Sequence, residues 1–166
     1  MAMKIKQKQR GFTLLVAIIF MSVMLAFGLA LGSLSYKQQV LASSSIESQY
    51  AFYAADAGLE CALYADQKQN LFAYPASNPG SAPKVTCDNA LPISSSETWT
   101  TSRWIIANRL SLDGTTRCVD ITVYKPNPSV GGSTYIFSQG YDVSCTTVGS
   151  PPNGARFVAR GINIRY

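Results

Sequence analysis

Hydropathy divides the chain into three stretches. Cations at Lys4, Lys6, Lys8 and Arg10 are followed by Gly11 and a run from Phe12 to Leu34 that carries no charge; the next charge is Lys37. The run is 23 residues long, and as a helix it covers about 34 Å against a bilayer core of roughly 30 Å. Four positive charges directly before it predict that the first residues stay in the cytoplasm. A secretory signal peptide is the competing reading, but its apolar region is usually about 7–15 residues and ends in a small-x-small cleavage site. Here the run is longer and the helical pattern continues beyond it. Tyr50, Tyr53, Ala57, Cys61 and Tyr64 recur at helical spacing and predict a semi-apolar stripe that packs on a sheet. No proline interrupts the chain from Phe12 until Pro75, so one helix of about 55 residues, near 80 Å, is expected. Its apolar half is placed at 12–36 and its amphipathic half at 37–70. Gly28 and Gly32 each weaken that helix by roughly 0.8–1 kcal/mol relative to Ala. Their spacing also matches the close-packing pattern of membrane helices, although small residues are common in any such helix.

The last third reads as antiparallel strands. Val119, Ile121 and Val123 alternate with polar residues over Cys118–Tyr124; Tyr135–Thr147 follows as a second strand, broken near Gly140, and Phe157–Tyr166 as a third. Pro126, Pro128, Gly131 and Gly132 mark the first turn, and Pro151, Pro152, Asn153 and Gly154 the second. Centring the first hairpin between Gly131 and Gly132 sets Cys118 opposite Cys145. The same register sets Ile121 against Asp142 and Val119 against Ser144, a conflict that a bulge would relieve. The segment 71–86 holds Pro75, Pro79 and Pro83 and is expected to be extended or loop-like.

Composition changes the picture in two ways. The formal net charge is +5, but without the four cations ahead of Gly11 ten basic side chains face nine acidic ones, leaving +1. The basic balance therefore describes topology rather than affinity for nucleic acid. The four cysteines, Cys61, Cys87, Cys118 and Cys145, all follow the apolar run. They lie on the side expected to face an oxidising compartment, where an even count reads as two disulfides. Of the three possible connectivities, Cys61–Cys87 with Cys118–Cys145 is favoured. No Cys-x-x-Cys and no histidine occur, so no metal site is expected. The fold class is α+β: a long N-terminal helix packed on a small antiparallel sheet. The layout is a basic leader at 1–11, the two helix halves, and a disulfide-bonded extracellular head at 71–166.

Two motifs carry a resemblance. Arg10-Gly11-Phe12-Thr13-Leu14-Leu15 resembles the cleavage and methylation motif of type IV prepilins. The resemblance implies that a prepilin peptidase cuts between Gly11 and Phe12, that Phe12 becomes a methylated N-terminus, and that Phe12, Leu14, Leu15, Ile18 and Ile19 serve assembly. Ala51-Phe52-Tyr53-Ala54-Ala55-Asp56-Ala57-Gly58-Leu59-Glu60 looks like a segment of PilX-type minor pilins and of the K-type pseudopilins of type II secretion. Together the two cover roughly the first third of the chain. The implied function is a minor pilin or pseudopilin assembled into a pilus or secretion pseudopilus. Its partners would be other pilin subunits, the prepilin peptidase, an inner-membrane assembly platform and, before assembly, membrane lipid. It would begin as a single-pass cytoplasmic membrane protein and end in an extracellular or periplasmic filament. One position departs from the family: where pilins usually carry Glu, this chain has Val16. A carboxylate there needs a cationic partner from a neighbouring subunit, because an unpaired charge in an apolar bundle costs several kcal/mol. Val16 needs none, which fits a subunit at the filament tip; simple drift in a subunit placed elsewhere fits as well.

Catalysis is not expected, since without histidine the usual Ser-His and Cys-His nucleophile pairs cannot form. No cofactor is expected. Trp99, Arg103 and Trp104, and separately Arg156, Arg160 and Arg165, are candidate ligand contacts, because aromatic and guanidinium groups stack on bases and neutralise phosphates. Ordinary strand aromatics and solvated arginines are the plainer account of them. A single-pass anchored binding protein, with an adhesion or DNA-uptake role, is the alternative to a filament subunit.

Overall fold

The computed structural model describes residues 10–150 and 156–166; Lys4, Lys6, Lys8 and the proline-rich turn at 151–154 lie outside them. A single helix, α1, runs Arg10–Gln67. Five antiparallel strands follow in the order β1 (Ser94–Trp99), β2 (Arg103–Leu112), β3 (Arg117–Pro126), β4 (Tyr135–Tyr141) and β5 (Ala159–Arg165). A short helix, α2 (Cys145–Gly149), sits between β4 and β5. The chain divides into two compact units, one ending at Ser43 and one spanning Ser44–Tyr166.

In the first unit α1 has apolar residues on every side and all of them are exposed. In the second, the same helix supplies one layer of a two-layer core. Its buried face is Ala51, Ala54, Ala55, Ala62 and Ala65, with Gly58 in the same stripe, each successive turn of the helix supplying one or two of them. The sheet answers with Ile106, Leu110, Val119, Ile121, Val123 and Ile136, all fully buried. This corrects the tyrosine stripe expected from sequence. Tyr50, Tyr53 and Tyr64 are exposed, and Ala57 and Cys61 are only half-buried. The reason is distance: large side chains on the sheet leave room only for alanine and glycine on the helix.

The helix stops at Gln67, three residues short of the expected limit. Asn70 takes a left-handed φ of 53°, which Asn tolerates, and Leu71 N–H reaches back to the Ala65 carbonyl at 2.9 Å. The segment after it has no strand or helix until β1, apart from an isolated bridge between Cys87 and Ala90. It contributes Phe72 and Val85 to the core.

Two strands, β1 and β2, were not anticipated. The expected strand 118–124 lies within β3 and 157–166 contains β5, whereas 135–147 splits. β4 ends at Tyr141, and Cys145 opens α2, where Ser144 accepts a hydrogen bond from Thr147 N–H. The hairpin register also differs. Tyr124 pairs with Tyr135 and Cys118 with Tyr141, so the turn centres between Ser129 and Val130 rather than between Gly131 and Gly132. Asn127 sets it, accepting from Val130 and Gly131 N–H at 2.9 and 3.1 Å. Val119 now pairs with Gly140 and Ile121 with Ser138, which removes the clash of burial that the expected register carried. Both expected disulfides nonetheless form, with Cα–Cα distances of 5.8 Å for Cys61–Cys87 and 4.7 Å for Cys118–Cys145. Cys145 reaches Cys118 from the first turn of α2.

Candidate functional site

The apolar half of α1 is the most distinctive surface. Phe12, Leu14, Leu15, Val16, Ile18 and Ile19 are all about half to three-quarters exposed, from 48% at Val16 to 73% at Phe12. None of the most apolar part of the helix is buried by the other described residues. By length and composition it can cross a membrane. The Ser22 hydroxyl, a polar group inside this stretch, donates to the Ile19 carbonyl at 2.8 Å, so the helix satisfies it without water. A Cβ built on Gly11, Gly28 or Gly32 would meet nothing within 4 Å among the described residues. A helix apolar all round needs a surrounding of lipid or other helices.

In the second unit the two candidate contact groups lie on opposite edges of the sheet. Trp99 and Trp104 face each other across the β1–β2 ladder. Trp104 is buried and donates its indole N–H to the Glu97 carboxylate at 2.6 Å. Trp99 packs against the core and tilts against Tyr74 with centroids 6.5 Å apart. Trp104 is therefore a core group and Trp99 is half-buried against the core, while Arg103 beside them is exposed. Arg156, Arg160 and Arg165 are exposed on and before β5, and Arg160 donates to the Ser48 hydroxyl at 2.7 Å.

Three polar groupings escaped the sequence reading. Asp66, near the end of α1, is buried and accepts both from Lys125 Nζ, at 2.6 and 2.7 Å, and from the Tyr166 hydroxyl. Burial and then the Asp66 carboxylate raise the Tyr166 phenol above its ordinary value. On the sheet face away from α1, Arg109 donates two bonds to Asp120 at 2.6 and 2.7 Å, and the Tyr141 hydroxyl adds a third at 3.1 Å. Burial, reinforced by Asp120, raises Tyr141. The third is a shallow cleft beside Tyr50, Tyr53, Leu112, Asp113 and Arg117, with the Arg117 guanidinium 4.4 Å from the Tyr50 ring centre. No sequence spacing announces these groupings: Asp66 meets residues 59 and 100 positions further on, and Arg109 meets Asp120 only through the register of β2 against β3. Among the described residues no three His, Cys, Asp or Glu side chains come together as a metal site.

No family model, curated protein or solved structure matches this chain.

Proposed function

We propose that this protein is a minor type IV pilin or pseudopilin. A prepilin peptidase cuts after Gly11, Phe12 becomes the methylated N-terminus, and the apolar half of α1 leaves lipid for a bundle of like helices in a pilus or secretion pseudopilus. The observation that carries the reading is α1 itself: a helix with Gly11-Phe12-Thr13-Leu14 at its start and apolar side chains exposed on all sides through the first unit. Lipid and sister helices are equivalent solvents for such a surface, so transfer between them costs little and packing decides the outcome. Phe12, Leu14, Leu15, Ile18 and Ile19 would make those contacts, and Gly28 and Gly32 would admit a neighbouring helix at close range. The disulfide-bonded unit fits an oxidising space outside the cytoplasm.

Val16 points to the tip. A subunit with no neighbour ahead has no amine to pair with a carboxylate, and valine there avoids an uncompensated buried charge. Immunogold labelling of sheared surface filaments, or of pseudopili, tests both statements. The proposal expects label on filaments and confined to one end. Label along the whole shaft would refute the tip placement, and a protein absent from every filament fraction would refute the assignment.

A further inference from the structure

Strand β5 closes one side of the sheet and, among the described strands, pairs only with β4. Thr134 and Tyr166 exchange both backbone bonds, at 2.8 and 3.1 Å. By the alternation of an antiparallel ladder, Ile136–Ile164, Ser138–Ile162 and Gly140–Arg160 are then also the hydrogen-bonded pairs. The N–H and C=O groups of Ala159, Gly161, Asn163 and Arg165 accordingly point the other way, into an edge that no other described strand occupies. That edge offers four donors and four acceptors at strand spacing, and no proline interrupts it. Such an edge is a template for another strand.

Charge says which strand. Arg156, Arg160 and Arg165 are exposed, and the sequence has no Asp or Glu after Asp142. Two copies of β5 laid edge to edge would bring arginines together, and like charges across a ladder are destabilising. A phosphate backbone would meet the arginines but only accepts hydrogen bonds, leaving the free carbonyls unmatched. An extended peptide with carboxylates satisfies donors, acceptors and charge at once. On the face toward α1, Ile162 and Ile164 are only half-buried, so alternate apolar side chains on the added strand would find apolar neighbours. We infer that the free edge of β5 receives an extended, carboxylate-bearing segment of another polypeptide, which adds to the sheet as a sixth strand. This inference stands on the sheet alone and does not depend on the pilin assignment.

The full-length chain in detergent micelles is titrated with a labelled peptide alternating Val and Glu, with its Val/Lys counterpart, and with single-stranded oligothymidylate. The Val/Glu peptide is expected to bind, to weaken with salt, and to slow amide exchange at Gly161, Asn163 and Arg165. Asn163→Pro removes an N–H on the free side, where proline is tolerated. It should weaken the peptide by about tenfold, through a lost bond and a blocked approach, while Ile136, Ser138 and Gly140 amides stay protected. The pair Arg156→Glu with Arg165→Glu should turn the preference toward the Val/Lys peptide, and it decides the matter if the proline variant does not fold. The inference is overturned if no peptide binds, if Val/Lys or oligothymidylate binds as well as Val/Glu, if the edge amides are already slow without peptide, or if the chain pairs with itself through β5.

Discussion

A Cβ on Gly140 would lie 2.2 Å from the Ala51 carbonyl oxygen and 2.3 Å from the Ala55 nitrogen. Both are helix backbone, which cannot turn aside as a side chain can. Gly140→Ala should therefore lower stability near the upper end of the 1–3 kcal/mol typical of overpacking, about 3 kcal/mol. At Gly58 the added carbon would meet Val119 Cγ2 at 2.5 Å and Ser138 Oγ at 2.7 Å, side-chain atoms that can shift, and alanine also favours the helix. Thermal unfolding should rank Gly140→Ala as clearly the more damaging; the reverse order would contradict the close helix–sheet contact described above. This is also where sequence reading went astray. A stripe of tyrosines looks like a core face because periodicity weighs apolar size. The decisive quantity was the space beside Gly140 and Val119, which no one-dimensional pattern records. A second residue-scale test concerns Asp66. Asp66→Ala leaves the Lys125 ammonium, 22% exposed, without its partner, at a cost of about 3 kcal/mol. Tyr166 adds a pH dependence whose sign follows from its raised pKa. The folded state holds the phenolic proton more tightly than the unfolded chain, whose value is 10.0. The contribution is thus fully present below about pH 10 and is lost as pH rises through the folded value. Tyr166→Phe should flatten that alkaline fall in urea-unfolding curves, while Tyr141, also raised, contributes separately. An unchanged alkaline limb would rule out the Asp66–Tyr166 bond.

At the scale of elements, the two disulfides close loops with sequence separations of 26 and 27. Loop-closure entropy alone assigns each about 3–4 kcal/mol. Replacing Cys61 and Cys87 by serine frees the segment that carries Phe72 and Val85 into the core. Replacing Cys118 and Cys145 frees α2. Each double variant should lose about that much by denaturant unfolding, and peptide mapping of the native protein without reductant should return only these two pairs. The pairing came out as expected, but not for the expected reason: the hairpin register set Cys118 opposite Cys145, whereas Cys118 faces Tyr141 and Cys145 reaches it from α2. The four-residue difference in the sum of opposed positions arose because Asn127, not the Gly131-Gly132 pair, sets the turn. β3 showed itself by alternation, and β5 as the segment that follows the second turn. β1 did not, since Ser94-Ser95-Ser96-Glu97-Thr98 has no apolar face to alternate, and its place follows from pairing with β2. β2 did carry a signal, the alternate Leu110 and Leu112 after Trp104 and Ile106, which Asn108 at a core position interrupts; Asn108 is buried but bonded to the Pro83 carbonyl at 3.1 Å.

For the molecule as a whole, the sequence was most informative where physics is one-dimensional. A long uncharged run read as a helix able to cross a membrane needs no tertiary structure. The α+β class, the long helix and the disulfides followed from the same pattern logic. The candidate contacts did not, because burial turned Trp104 into a core side chain and put the remaining arginines on separate edges. The central claim is that α1 begins its working life at Phe12. Intact-mass and N-terminal peptide mass spectrometry of the protein recovered from its native membrane or filament fraction tests it most directly. The account predicts a chain lacking its first eleven residues and starting at N-methylated Phe12. A native protein that retains Met1–Gly11, or is cut elsewhere, would contradict it.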